Sequence, residues 1–268
     1  NTIDNLCYGE SNGNADINIS GGVQDYILTW DIYTYPLIGG VSNFVTPFGL
    51  PANIYPYSIS DANGCIYHDT IVINEPDSIY TSLTLSNYNN YNISCNGEND
   101  GNIDIQINGG TGPYIIYFQD SLITNYSIEN LYAGTYYDSI IDNNGCIFQE
   151  SIILNEPNTI SNTIFSTNLS CYNSCDGYIT TNTNGGVSPF NYSWNNNLYI
   201  DDTLSSICAD TYYLNITDAN NCIFNDSVVL NQPNQININI DSIQDVSVYN
   251  GADGAIYINA NGGVLNFS

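Results

Sequence analysis

The chain has 268 residues, is 43% hydrophobic, and carries 27 Asp and Glu, one His and no Lys or Arg, for a formal charge of −27. That is enough apolar material for packed cores, but phosphate recognition needs basic side chains, so nucleic acid and anionic lipid headgroups are excluded as partners. No Lys or Arg salt bridge can form and no trypsin-type cleavage site exists; stability has to come from apolar burial, hydrogen bonds and cross-links.

No stretch approaches the ~20 consecutive apolar residues of a membrane helix, and there is no N-terminal signal pattern. The chain also lacks Met. It reads as an internal piece of something longer, with no membrane insertion in this segment and any export signal outside it.

In chain order, one pattern returns about every 80 residues. Residues 1–76 form the first copy. Gly13 is followed by alternating Ala15, Ile17 and Ile19, then by Gly21-Gly22 and Trp30, and the copy ends in "DANGC" (Asp61–Cys65) and "NEP" from Asn74. Residues 77–157 repeat it with Gly101, Ile103, Ile105, Ile107, Gly109-Gly110, Phe118, "DNNGC" (Asp142–Cys146) and "NEP" from Asn155. Residues 158–233 carry Gly177, Ile179, Thr181, Thr183, Gly185-Gly186, Trp194, "DANNC" (Asp218–Cys222) and "NQP" from Asn231. Residues 234–268 begin a fourth copy, with Gly254, Ile256, Ile258, Ala260 and Gly262-Gly263.

Alternation with period two predicts half-buried strands. The Asp-Asn-Gly phrases predict tight hairpin turns, because these residues tolerate left-handed backbone. No segment shows sustained helical spacing. Six or seven short strands per copy predict an all-β protein, a tandem array of small immunoglobulin-like β-sandwich repeats. Proline-restrained linkers near Pro76, Pro157 and Pro233 predict a rod.

The eight cysteines fall into repeat register, and even numbers per copy predict disulfides within each copy: Cys7 with Cys65, Cys95 with Cys146, Cys171 with Cys222, and Cys175 with Cys208. Small domains in oxidising compartments use such staples. Copy three also has the four thiols of a zinc site, but lacks paired CxxC knuckles. Val248 replaces the first cysteine of copy four, so that copy's own turn is expected to lack cysteine too.

Together, "CNGENDGNIDIQINGGTGPYIIYF" from Cys95, "LYAGTYY" from Leu131, "DNNGC" and "NEP" resemble the SprB-type repeats of secreted Bacteroidota surface proteins, including gliding-motility adhesins. The resemblance spans the chain. Copy one departs from it at Gln24-Asp25 and copy three at Asp210. It implies a cell-surface or extracellular protein exported by the type IX route. It further implies O-glycosylation where Asp precedes Ser or Thr and an apolar residue, at Thr70, Ser78, Ser121, Ser139, Thr203, Ser227 and Ser242.

His68 is the only imidazole and no nucleophile recurs beside a base, so no catalytic residue is assigned and no enzyme is expected. "NGENDG" from Asn96 spaces oxygen donors as calcium loops do, but the sister copies do not keep it and a turn explains all four. Glu75 and Asp77 are a second candidate calcium position, weakened by Gln232 in copy three. No cofactor or metal is assigned. Paired tyrosines such as Tyr136-Tyr137 and Tyr212-Tyr213 predict one core and one surface ring each. The expected function is a stiff, acidic, disulfide-stapled stalk of a large surface adhesin, its partners extracellular surfaces, polysaccharides or copies of itself. The alternatives are a subunit of an extracellular filament or sheath, and a carbohydrate-binding accessory module of a secreted enzyme.

Overall fold

The computed structural model describes residues 1–30, 33–37, 42–45 and 49–264, of which residues 33–37 are described by backbone alone. The described residues form strands and no helix. The last residues of copy four, 265–268, lie outside the described set.

The chain divides into two compact units, Asn1–Leu85 with Asn102–Leu154, and Ser86–Gly101 with Asn155–Ser268. In the first unit, copy one supplies β1 (Thr2–Ile3), β2 (Asn14–Asn18), β3 (Tyr26–Trp30), β4 (Tyr33–Leu37), β5 (Asn43–Val45), β6 (Asn53–Ser60) and β7 (Ile66–Ile73). They form two sheets, ordered β1-β2-β5 and β4-β3-β6-β7. Copy two adds β8 (Tyr80–Leu85), β9 (Gly101–Asn108), β10 (Ile115–Phe118), β11 (Ser121–Ile123), β12 (Ser127–Leu131), β13 (Gly134–Ile141) and β14 (Ile147–Leu154). Its sheets are β12-β9-β8 and β11-β10-β13-β14.

In the second unit, copy three supplies β15 (Ser161–Thr167), β16 (Gly177–Asn184), β17 (Asn191–Trp194), β18 (Thr203–Ile207), β19 (Thr211–Thr217) and β20 (Ile223–Val229). The sheets are β15-β16-β18 and β17-β19-β20. Copy four contributes the pair β21 (Asn237–Gln244) and β22 (Ala255–Asn261).

Each sandwich closes on the residues that alternation selects. Ala15 and Ile17 of one sheet pack with Tyr26, Leu28, Trp30 and Ile59 of the other. In copy three Ile179, Leu204 and Ile207 meet Trp194, Leu214 and Ile216. Fully burying such a side chain is worth ~1.5–3 kcal/mol, which holds small two-sheet cores together without any ion pair. Tyr212 is 4% exposed and Tyr213 65%, because neighbours on a strand face opposite ways. The buried ring also ties its hydroxyl back: Tyr55 donates to the Pro51 carbonyl at 2.8 Å, Tyr136 to Tyr132 at 2.9 Å and Tyr212 to Cys208 at 3.0 Å. This corner, a tyrosine bonding the backbone a few residues upstream, recurs in immunoglobulin-like sandwiches.

Candidate functional site

The recurring "DxxGC" turn is built around its aspartate. Asp142 Oδ1 accepts from the amides of Asn144 and Cys146, both at 2.9 Å, while Oδ2 accepts from Thr111 at 2.9 Å. Asp218 does the same with Asn220, Cys222 and Val187, and Asp61 with Asn63, Cys65 and Val23. These backbone bonds, led by the Val23 amide, hold the Asp61 carboxyl below the usual carboxylate range. Gly64, Gly145 and Asn221 adopt φ of 79°, 88° and 68°; Asn tolerates that region best among side chains other than Gly, so copy three can write "DANNC".

The cysteine that follows each turn does not pair inside its own copy. Cys7 bonds Cys146 and Cys95 bonds Cys222, each with Cα atoms 5.6 Å apart. Each bridge therefore runs from the first cysteine of one copy to the turn cysteine of the next. The within-copy pairs Cys7–Cys65, Cys95–Cys146 and Cys171–Cys222 are corrected accordingly; Cys65 and Cys171 are exposed and unpaired. Cys175 bonds Cys208 within copy three. The shifted register also removes the inference from Val248, whose partner turn would belong to a different copy.

Hydrogen bonds show why the register shifts. The side-chain amide of Asn144, inside the copy-two turn, donates to the Leu6 carbonyl at 2.9 Å, next to Cys7. Asn220, its counterpart, donates to Ser94 at 2.8 Å and Tyr88 at 3.3 Å, next to Cys95. The turn is thus a plug seated on the preceding copy's cysteine loop. That loop is itself a tight turn, closed by Glu10 to Cys7, Glu98 to Cys95, Ser174 to Cys171 and Gly251 to Val248 amide–carbonyl bonds.

The "NEP" phrase, read from sequence as a boundary, is a clasp. Asn74, Asn155 and Asn231 offer carbonyls to the amides of Asn5, Ile93 and Leu169. Their own amides donate to the side chains of Asp4, Asn92 and Asn168. The next residue caps the cysteine loop: Glu75 accepts from Gly9 at 2.7 Å, Glu156 from Gly97 at 2.6 Å and Gln232 from Asn173 at 2.8 Å. A Glu or Gln oxygen serves equally as an acceptor, which explains "NQP". Spacing alone gave no sign of either role, since the partners lie 59 to 70 residues upstream.

Beside each of the two bridges between copies lies a groove, of about 470 Å³ past Cys7, Glu10, Asp77 and Phe148, and about 390 Å³ past Cys95, Glu98, Asn158 and Phe224. Glu75 is engaged with Gly9. In the "NGENDG" loop Asp100 accepts from the Ser94 amide at 3.0 Å, as Asp176 and Asp253 do from Ser170 and Ser247. Among the described residues no three His, Cys, Asp or Glu side chains gather as a metal site. His68 stands exposed on β7. Of the expected glycan positions, Thr70, Ser78, Ser121, Ser227 and Ser242 are exposed, whereas Ser139 and Thr203 are half-buried.

No curated protein matches this sequence. Solved structures it is similar to include one from a study of Dscam isoform specificity (11% identity, 78% of this chain and 66% of that one, TM-score 0.27). Two others are the N-terminal eight immunoglobulin domains of Down Syndrome Cell Adhesion Molecule (10%, 86% and 38%, TM-score 0.29) and Sidekick-1 immunoglobulin domains 1–5 (11%, 93% and 62%, TM-score 0.26). The chain spans less than two thirds of the length of each of these structures. The SprB repeat model matches residues 87–117, which take in β9 and most of β10, and residues 163–198, which take in most of β15 with β16 and β17. The chain thus carries two segments similar to the SprB repeat, consistent with a SprB-type repeat protein.

Proposed function

We propose that this chain is a non-catalytic segment of the stalk of a large secreted bacterial adhesin, exported by the type IX route and holding a distal tip away from the cell surface. The observation that carries this reading is the register of the bridges, each of which covalently ties a copy to its successor. An enzyme has no need to brace neighbouring copies in series; a spacer that must keep its orientation does. Disulfides of this number belong to oxidising, extracellular compartments. In an array with copies on either side, the same register would give Cys65 to the loop of a preceding copy and Cys171 to the turn of a following one.

Small-angle scattering of the oxidised chain tests the stalk: a rod whose cross-section equals one sandwich supports it, and a collapsed profile in oxidising buffer overturns it. Sedimentation tests the filament alternative, since a net charge of −27 predicts monomers that repel one another at low salt.

A polysaccharide partner, as in the carbohydrate-module reading, is favoured by a groove of about 630 Å³ in copy three. Asn196, Asn197, Asn215 and Asn225 line it together with exposed Tyr213. Amides and an aromatic face suit sugar hydroxyls and sugar rings. Retardation of the chain in polysaccharide-containing gels, lost in Tyr213→Ala, is the expected result; equal mobility of both sinks the reading.

A further inference from the structure

Copy two turns a pair of acids toward its own core. Asp138 on β13 stands directly opposite Glu150 on β14, and residues so paired share one face of a sheet with Cβ atoms ~4.5–5.5 Å apart. That face is the inner one: Asp138 is 4% exposed and shares the phase of buried Ile140, as Glu150 shares that of buried Ile152. Neither Asp138 oxygen has a hydrogen-bond partner. Glu150 is half-buried, and the Thr81 hydroxyl donates to it from β8 in the opposing sheet.

The acid on the last strand recurs, but its acidic neighbour does not. Copy one sets Tyr57 opposite Asp69, and the Tyr57 hydroxyl donates to that carboxylate at 3.4 Å. Copy three sets Leu214 opposite Asp226. Both of those acids also accept from a neighbouring amide, that of Thr70 or Ser227. Among the described residues, only copy two places two carboxyls face to face with a hydroxyl beside them.

Charge decides what belongs between them. A buried carboxylate without a partner is costly, and each of two adjoining carboxylates disfavours ionisation of the other. Burial first, and the Glu150 carboxylate second, push Asp138 up to about 6. A cationic side chain is the usual remedy, yet the sequence has no Lys or Arg and its one His lies in copy one. The counter-charge has to come from solution. A single proton neutralises one carboxylate and leaves the other, whereas a divalent cation balances both. The donors are hard oxygens throughout, which suits calcium or magnesium rather than zinc. Magnesium demands near-ideal octahedral geometry, while calcium accepts irregular sets of about 6–8 oxygens. Both carboxylates and the Thr81 hydroxyl, with the half-buried Glu150 side open to water, fit the larger ion.

We propose that Asp138, Glu150 and Thr81 form a calcium site that ties β13 and β14 to β8 across the interior of copy two. Without calcium the pair keeps a proton instead. Neither the "NGENDG" loop nor Glu75 takes part.

Hydrogen exchange of the β13 and β14 amides, in the full chain at neutral pH, tests the site. A ligand that binds only the folded state shifts opening by a factor of one plus the ratio of its free concentration to Kd. Against the ~10⁻⁴–10⁻³ M affinities of extracellular calcium modules, about 5 mM calcium should therefore raise protection about 5–50-fold over the chelated chain. Magnesium at the same concentration should leave protection unchanged. So should calcium in Asp138→Leu, which installs the residue that copy three carries at this place. If calcium does not slow exchange in the wild type, the pair holds only a proton and the proposal falls. It falls equally if magnesium, or calcium in Asp138→Leu, protects as well, because the ion is then held by the −27 surface and not by this pair. Should the variant fail to fold, the wild-type contrast between calcium and magnesium decides.

Discussion

At one register position copy two buries Asp138 and copy three buries Leu214; across the strand, Phe118 and Trp194 are their respective neighbours. Everything around them is shared: the aspartate-centred turn, the tyrosine corner, the clasp and the cap. Copy three adds a bridge of its own, Cys175–Cys208. The frame is held by side chains that bond backbone, and these fix strand order whatever fills the interior. The interior is therefore free to differ, and copy two has used that freedom for polar groups while copy three has used it for a larger apolar core.

Removing the extra bridge should have the largest effect. In the loop-entropy model a bridge closing this 33-residue separation contributes about 3–4 kcal/mol, so Cys175→Ser with Cys208→Ser should lower copy three by that amount and leave copy two unchanged. Trp194 is fully buried in copy three and the other tryptophan, Trp30, lies in copy one, so in a Trp30→Phe background denaturant titration followed by tryptophan emission reports copy three, and hydrogen exchange of copy-two amides reports copy two. Equal losses in both copies would mean that they unfold as one.

The turn comes next. Asp142→Ala or Asp218→Ala should cost about 2–3 kcal/mol, because each strips a carboxylate from three backbone amides. The loss should expose Asn144 and Cys146, or Asn220 and Cys222, to hydrogen exchange. If exchange is unchanged, the turn is held by the bridge alone.

Asp138→Leu should stabilise copy two by about 1–3 kcal/mol by installing the copy-three solution. The pH dependence gives the same comparison a sign. Asp138 titrates at about 6 when folded, above its ordinary 3.8, so the folded state binds the proton more tightly and copy two gains stability as pH falls from about 6 toward 4. Asp176 of copy three goes the other way. Hydrogen bonds from Ser170 and Ser174 hold it down at about 2, so its contribution is complete above the ordinary carboxylate value and fades as pH falls below it. Melting curves at pH 7 and 4.5 should therefore move copy two up and copy three little. The smallest effect belongs to Gln232→Glu, expected within about 0.5 kcal/mol, since either oxygen can cap Asn173.

Strand positions and turns were legible because each rests on local periodicity. Ile103 and Ile105 announce their burial by alternation, and Gly145 its left-handed turn by its neighbours. Bridge partners were not legible. Cys7 lies in the same repeat register relative to Cys65 as to Cys146, and only the Asn144 contact with Leu6 decides between them. The burial of Asp138 opposite Glu150 was equally hidden, because "YYDSII" alternates like any strand and nothing local shows that its acid points inward. The clasp escaped for the same reason: Asn155 reaches a partner that only folding brings near.

The bridges Cys7–Cys146 and Cys95–Cys222 overlap along the chain, since Cys95 lies between the first pair. A pull applied at the two ends thus has a short cut: across to Cys146, back along about 50 residues to Cys95, and across again to Cys222. At ~3.4 Å per extended residue that is ~170 Å of slack, against ~730 Å for the about 215 residues of unbridged backbone. Even with every sandwich melted, such a tether would stop paying out early and hand the load to sulfur–sulfur bonds, which makes reductant the agent that sets how far it can stretch.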